Sequence, residues 1–177
     1  MTLYIRSQAG GLLFLLSVIF ICATAKPAKA EDFLHPFEIG SLEKIQSAYA
    51  GRPFLLILWS IDCPPCHKEL ELVGAVKKRH PDLQLVLIST DSAEVSEQVE
   101  SVLASHRLAN ADAWIFSGGN DEHLRYVIDP SWFGEMPRSY FYDSKHNRVG
   151  VSGALKKEQI ETWLTSPRVA PPRKTGI

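Results

Sequence analysis

The apolar and polar positions of the chain fall into alternating blocks. Leu42, Ile45, Ala48 and Tyr49 recur at intervals of three and four behind Ser41, which predicts a short amphipathic helix capped by that serine, with Gly51-Arg52-Pro53 stopping it. Phe54 to Trp59 is apolar at every position, the pattern of a strand covered on both faces, and it reads as the central strand of the sheet. Leu70, Val73 and Val76 form one stripe of a helix whose last turn carries Lys77, Lys78 and Arg79, cations that suit its negative end. Leu83 to Ile88 is a second buried strand, so strand, helix and strand make a right-handed parallel crossover. A helix over Ser92 to Ser105, a strand over Ala113 to Phe116 and a brief helix over Glu122 to Val127 follow. Arg138 to Tyr142 and Arg148 to Val151 form an antiparallel hairpin around Asp143 to Asn147, and a last helix runs from Leu155 to Leu164. Glu31 to Gly40 shows no periodicity, and neither repeats nor a second domain appear. The fold class is α/β.

Two segments lie outside that pattern. Met1 to Ala30 has one early cation, Arg6, then an apolar run from Gly11 to Ala23, then small residues ending Ala28-Lys29-Ala30, the order of a secretory signal. An uncleaved membrane anchor is the alternative, although the run is shorter than the roughly 20 residues of a spanning helix. The domain is placed at 31–166, and 167–177, rich in proline and cations, reads as a loose tail. The folded part is accordingly periplasmic or otherwise extracytoplasmic, soluble after cleavage or held by its N-terminus.

Composition adds exclusions. Of 177 residues, 45% are apolar and 22% charged, the make-up of one compact domain. Nineteen Lys and Arg against 20 Asp and Glu leave no basic excess for nucleic-acid phosphates. No phosphate-cradling glycine loop or nucleophilic serine motif is present, the six histidines show no metal-ligand spacing, and no cofactor is implied.

The chemistry concentrates in Cys63-Pro64-Pro65-Cys66, the cysteines left once Cys22 departs with the signal. Between a buried strand and a helix, the first sulfur lies at the helix N-terminus, where free amides and the dipole favour a thiolate. Cys63 is then the nucleophile, and Cys66, one turn inside, is shielded and close enough to form a disulfide. Prolines cost little in a first turn, whose amides lack intrahelical partners. A structural zinc site, a structural disulfide and chance spacing are the competing readings. Zinc lacks four ligands here, with only His67 nearby, and so small a loop gains little from cross-linking.

Trp59-Ser60-Ile61-Asp62-Cys63-Pro64-Pro65-Cys66 resembles the W-x-x-x-C-x-x-C segment of the thioredoxin superfamily. Met136-Pro137-Arg138-Ser139-Tyr140-Phe141-Tyr142-Asp143 is similar to the cis-proline segment of its TlpA/ResA-like branch, and the insertion from Ala93 to Val127 also matches that branch. The resemblance, over Leu42 to Leu164, implies a thioredoxin-like fold: a central mixed sheet flanked by helices, with an extra strand and helix before the cis-proline strand. It implies a cis Pro137 against the disulfide, and a Met136 backbone that binds extended substrate beside Pro64 and Pro65. Trp132 and Phe133 are expected to form an apolar platform at the site.

Three departures limit the analogy. Where thioredoxin keeps a buried acid, six positions before the first cysteine, this chain has Ile57; Glu135, beside Met136, is the replacement candidate as proton acceptor. The residue before Cys63 is Asp62 in place of tryptophan, a charge that opposes the thiolate. Two prolines between the cysteines supply no amide and no histidine to stabilise it. The potentials of thioredoxin and DsbA differ by about 150 mV, about 7 kcal/mol for two electrons, and the missing donors place this chain at the reducing end. The expectation is a monomeric, exported thiol-disulfide oxidoreductase that reduces disulfides of extracytoplasmic protein clients and is recharged by a membrane thiol-electron donor. A copper chaperone using Cys63, Cys66 and His67, or a disulfide-introducing oxidase, are the alternatives.

Overall fold

The computed structural model describes residues 33–165. The proposed signal at 1–30 and the tail at 167–177 lie outside the described residues. The elements, in order, are β1 (Leu34–Phe37), α1 (Ser41–Ala48), β2 (Phe54–Trp59), α2 (Pro64–Arg79), β3 (Leu85–Ser92), a 3-10 turn (Ala93–Val95), α3 (Ser96–Ser105), β4 (Asp112–Phe116), α4 (Asp121–Ile128), β5 (Arg138–Tyr142), β6 (Arg148–Ser152) and α5 (Lys157–Thr165). One six-stranded sheet has the order β1-β4-β3-β2-β5-β6. Its first four strands are parallel, while β5 and β6 are antiparallel to their neighbours. This is the mixed α/β architecture expected from the sequence, with α3, β4 and α4 inserted between β3 and β5.

β2 divides the core by its pleat. Leu55, Ile57 and Trp59 join residues of α2, α3 and α5 on one face, while Phe54, Leu56 and Leu58 join residues of α1 and α4 on the other. All six are fully buried, the reason the segment reads as an unbroken apolar run. Among the described residues no helix is long and apolar enough to cross a membrane.

Two local expectations are corrected. The segment read as aperiodic contains β1, an edge strand paired with β4. It spans four residues with a proline inside, which an edge tolerates, and only Leu34 and Phe37 are buried, too little for a periodic signal. Ser41 is not the cap of α1: Gly40 occupies that position at φ 88°, and the Ser41 hydroxyl accepts the Glu38 amide instead.

Gly74 on α2 fixes the approach of α3. A Cβ there would collide with the backbone carbonyl oxygen of His106, the residue that ends α3. Helix propensity alone favours alanine over glycine by about 1 kcal/mol. Gly74→Ala is nevertheless expected to lower stability by about 1–3 kcal/mol through overpacking. Urea denaturation checks this, and a stabilised variant contradicts the contact.

Candidate active site

The cysteine pair sits where β2 hands over to α2. Cys63 is the N-cap of α2 in an extended conformation, Pro64 and Pro65 fill the first two helical positions, and the Cys66 and His67 amides donate to the Cys63 carbonyl. Cys63 and Cys66 are joined by a disulfide with Cα atoms 5.2 Å apart. Cys63 keeps 8% of its surface and Cys66 none. The helix places both prolines on the surface beside Cys63.

The loop before Cys63 is tied down at Ile61. A register shift in the β3–β4 ladder between Ser89 and Ser92 turns Asp91 toward this loop. Asp91 accepts the Ile61 amide at 3.0 Å and the hydroxyls of Ser60 at 2.8 Å and Ser89 at 2.6 Å. On the other side of the same residue, the Ile61 carbonyl accepts from His67 Nε2 at 2.7 Å.

The antiparallel register of β2 and β5 ends at Leu58 opposite Arg138, so Pro137 lies one step beyond, at the end of β2 from which the chain runs to Cys63. The Met136–Pro137 bond is cis, Pro137 is buried and its carbonyl accepts the Gly153 amide. Met136 packs against the cluster that contains both cysteines, and the Thr90 hydroxyl lies 3.4 Å from its sulfur.

Glu69 was not singled out in the sequence. It follows Cys66 by three residues on α2, on the same helical face, and is 1% exposed. Its carboxylate accepts the Ser139 hydroxyl at 2.5 Å and the Leu155 amide at 3.1 Å. Ser139 is in register with Ile57, so a carboxylate reaches the neighbourhood of that strand position from the helix. A signal was present: Glu69 interrupts the stripe of Cys66, Leu70 and Val73, a face a glutamate enters only with partners.

Glu135 sits in different surroundings from those expected of a proton acceptor for Cys66. It is half-exposed, accepts the Ser152 hydroxyl and the Phe133 amide, and lies 3.6 Å from Arg138. Burial opposes ionisation, but these bonds and the Arg138 charge outweigh it and hold the carboxyl below its ordinary range. Trp132 is a core residue and not a platform: it is 5% exposed, packs on the α1 and α4 face, and donates its indole N–H to the Glu135 carbonyl. Its neighbour Phe133 is 93% exposed. Neither ring nitrogen of His67 is directed to a sulfur; they meet Ile61 and His106.

The loop leading to Pro137 is anchored by Asp129. This carboxylate accepts from Tyr140, Arg138 and both the hydroxyl and amide of Ser131, and Arg148 lies 3.8 Å away. Burial pulls its pKa upward, yet the bonds from Ser131, Tyr140 and Arg138 prevail and hold it well below the usual carboxylate range.

No family model matches the chain, and no curated protein matches its sequence. Solved structures do resemble it. A secreted Mycobacterium tuberculosis disulfide oxidoreductase homologous to Escherichia coli DsbE superposes with a TM-score of 0.54 at 19% identity, covering 68% of this chain and 85% of that one. DsbF of the same organism, in mixed oxidised and reduced forms, gives 0.55 at 17% identity, covering 68% and 84%. StoA from Bacillus subtilis gives 0.50 at 21% identity, covering 65% and 84%. The shared feature is the thioredoxin-like fold.

The Asp129 arrangement has a pH signature. A carboxylate whose folded pKa is depressed contributes stability above its unfolded value, and this contribution is lost as pH falls below that value. Denaturation midpoints measured from pH 6 downward are expected to drop below about pH 4, and to drop less steeply in Asp129→Asn. Equal slopes for the two proteins contradict the assignment.

Proposed function

We propose that the chain is an exported thiol-disulfide oxidoreductase of the TlpA/ResA-like type that reduces disulfides in extracytoplasmic proteins. One observation carries the reading: a disulfide at the N-terminus of α2 in a thioredoxin-like fold, its first cysteine keeping 8% of its surface and its second none. In the reduced enzyme the Cys63 thiolate attacks one sulfur of a client disulfide and expels the other as a thiolate, leaving a mixed disulfide. Cys66 loses its proton, attacks the Cys63 sulfur and releases the second client thiolate. The client gains two electrons and the enzyme closes its own disulfide. Recharging requires a dithiol donor, which for an exported protein acts across the membrane.

Glu69 is the proton acceptor favoured for the second step. It stands one turn along α2 from Cys66, enclosed with it, and its bond to Ser139 couples it to the strand that follows Pro137. The extended client segment lies along Met136, beside Pro64, Pro65 and the exposed Phe133.

The reducing direction rests on the surroundings of Cys63. The nearest helical amides, those of Cys66 and His67, donate to the Cys63 carbonyl, and the prolines have none to offer. A thiolate with few donors is a poor leaving group and gives a reducing couple. Equilibration with glutathione is expected to place the potential near the thioredoxin value of about −270 mV, and a value near the about −120 mV of DsbA overturns the reductase assignment.

Insulin reduction is expected to disappear in Cys63→Ser, and Cys66→Ala is expected to accumulate mixed disulfides with protein clients. Glu69→Gln is expected to slow release of the mixed disulfide by about 10- to 100-fold while leaving alkylation of Cys63 unchanged, the mark of a lost proton acceptor. Stopped-flow with a peptide disulfide separates the two steps, and an unchanged release rate removes Glu69 from the mechanism.

A further inference from the structure

Beside the disulfide, and not used by thiol exchange, two imidazoles face one another. His67 Nδ1 and His106 Nε2 are 3.5 Å apart, with ring centroids 5.7 Å apart and planes tilted by 45°. The second nitrogen of His67 meets the Ile61 carbonyl at 2.7 Å. A carbonyl only accepts, so Nε2 carries the proton, and Nδ1 of the neutral ring turns its lone pair toward His106. Metal-bound histidines are oriented in this way, one N–H anchored on a carbonyl and the other nitrogen free to ligate. With metal–nitrogen bonds of about 2.0–2.1 Å, the observed separation subtends about 115–120° at an ion, within reach of tetrahedral and trigonal geometries.

The pair is held in place by the backbone. His106 ends α3, its carbonyl rests against Gly74 of α2, and Arg107 at φ 63° turns the chain away. Both rings are half-buried and reachable by an ion. Burial is the main cause that lowers the His106 pKa from its ordinary value. The Glu71 carboxylate, one turn along α2 from His67, places negative charge near His106.

We propose that His67 and His106 form a two-imidazole binding site for a divalent first-row transition ion, Cu2+ ahead of Zn2+ in the order of intrinsic affinity. Among the described residues no three His, Cys, Asp or Glu side chains gather around one point, so water completes the shell. On binding, His106 ligates through Nε2 and carries its proton on Nδ1. The sulfurs take no part: the site belongs to the oxidised chain, where both are in the disulfide.

The test is titration of the untagged, oxidised chain with Cu2+, and separately with Zn2+, at pH 7 by calorimetry. Electron paramagnetic resonance of the copper form and proton NMR of the histidine rings accompany it. One ion per chain, nitrogen hyperfine coupling, selective broadening of the His67 and His106 ring signals, and a loss of affinity of at least about tenfold in His106→Gln are the expected results. No stoichiometric binding, equal affinity in folded His106→Gln, or broadening confined to other histidines overturns the proposal. Binding that appears only after reduction and vanishes in Cys63→Ser marks a dithiol site and overturns it as well. Insulin reduction assayed on the same samples reports on thiol exchange independently, so failure of either reading is visible without the other.

Discussion

A carboxylate enclosed in an apolar core survives only with hydrogen bonds to replace water, and the partners of Glu69 are what assemble this site. One oxygen takes the Ser139 hydroxyl of β5 and the other the Leu155 amide ahead of α5. Three elements distant in sequence therefore share a single group on the helix that carries Cys66. Loss of either partner leaves a buried polar atom unpaired, at a cost of about 1–3 kcal/mol, so the network constrains where α2, β5 and α5 can sit relative to one another.

On the opposite face, Asp129 plays a comparable part for the loop before Pro137. It gathers Arg138, Tyr140 and Ser131, and both Arg138 and Arg148 lie over the Tyr140 ring at 4.9 and 4.8 Å. The strand after the cis bond is held on one side by Glu69 through Ser139 and on the other by Asp129 through Tyr140. Adjacent residues of β5 carry these two anchors because successive side chains of a strand point to opposite faces. The two faces of β5 are thus each pinned by a buried carboxylate, Glu69 on one and Asp129 on the other.

Much of this was legible in the residues. Every position of β2 is apolar and every one is buried, so the strand could be read directly; the hairpin likewise announced itself through Asp143 to Asn147. The cysteine pair followed from its place between strand and helix. What escaped is what depends on distant partners. Glu69 interrupts an apolar helix stripe, but which groups satisfy it shows only once Ser139 and Leu155 are brought to it. Trp132 and Phe133 are adjacent aromatics in one loop, and only the packing of α1 and α4 decides that one is enclosed and the other exposed. β1 exists because β4 offers it an edge, a property of the sheet and not of Leu34 to Phe37 themselves.

Ile61, gripped by Asp91 at its amide and by His67 at its carbonyl, lies two residues before Cys63 of the disulfide. An imidazole that touches the Ile61 carbonyl on one side and His106 on the other obeys reciprocity. If closing the disulfide alters what the ring can bind, then occupancy of the ring alters how readily the disulfide closes, by the same free energy. Disulfide exchange and ion binding would then be read on one thermodynamic scale.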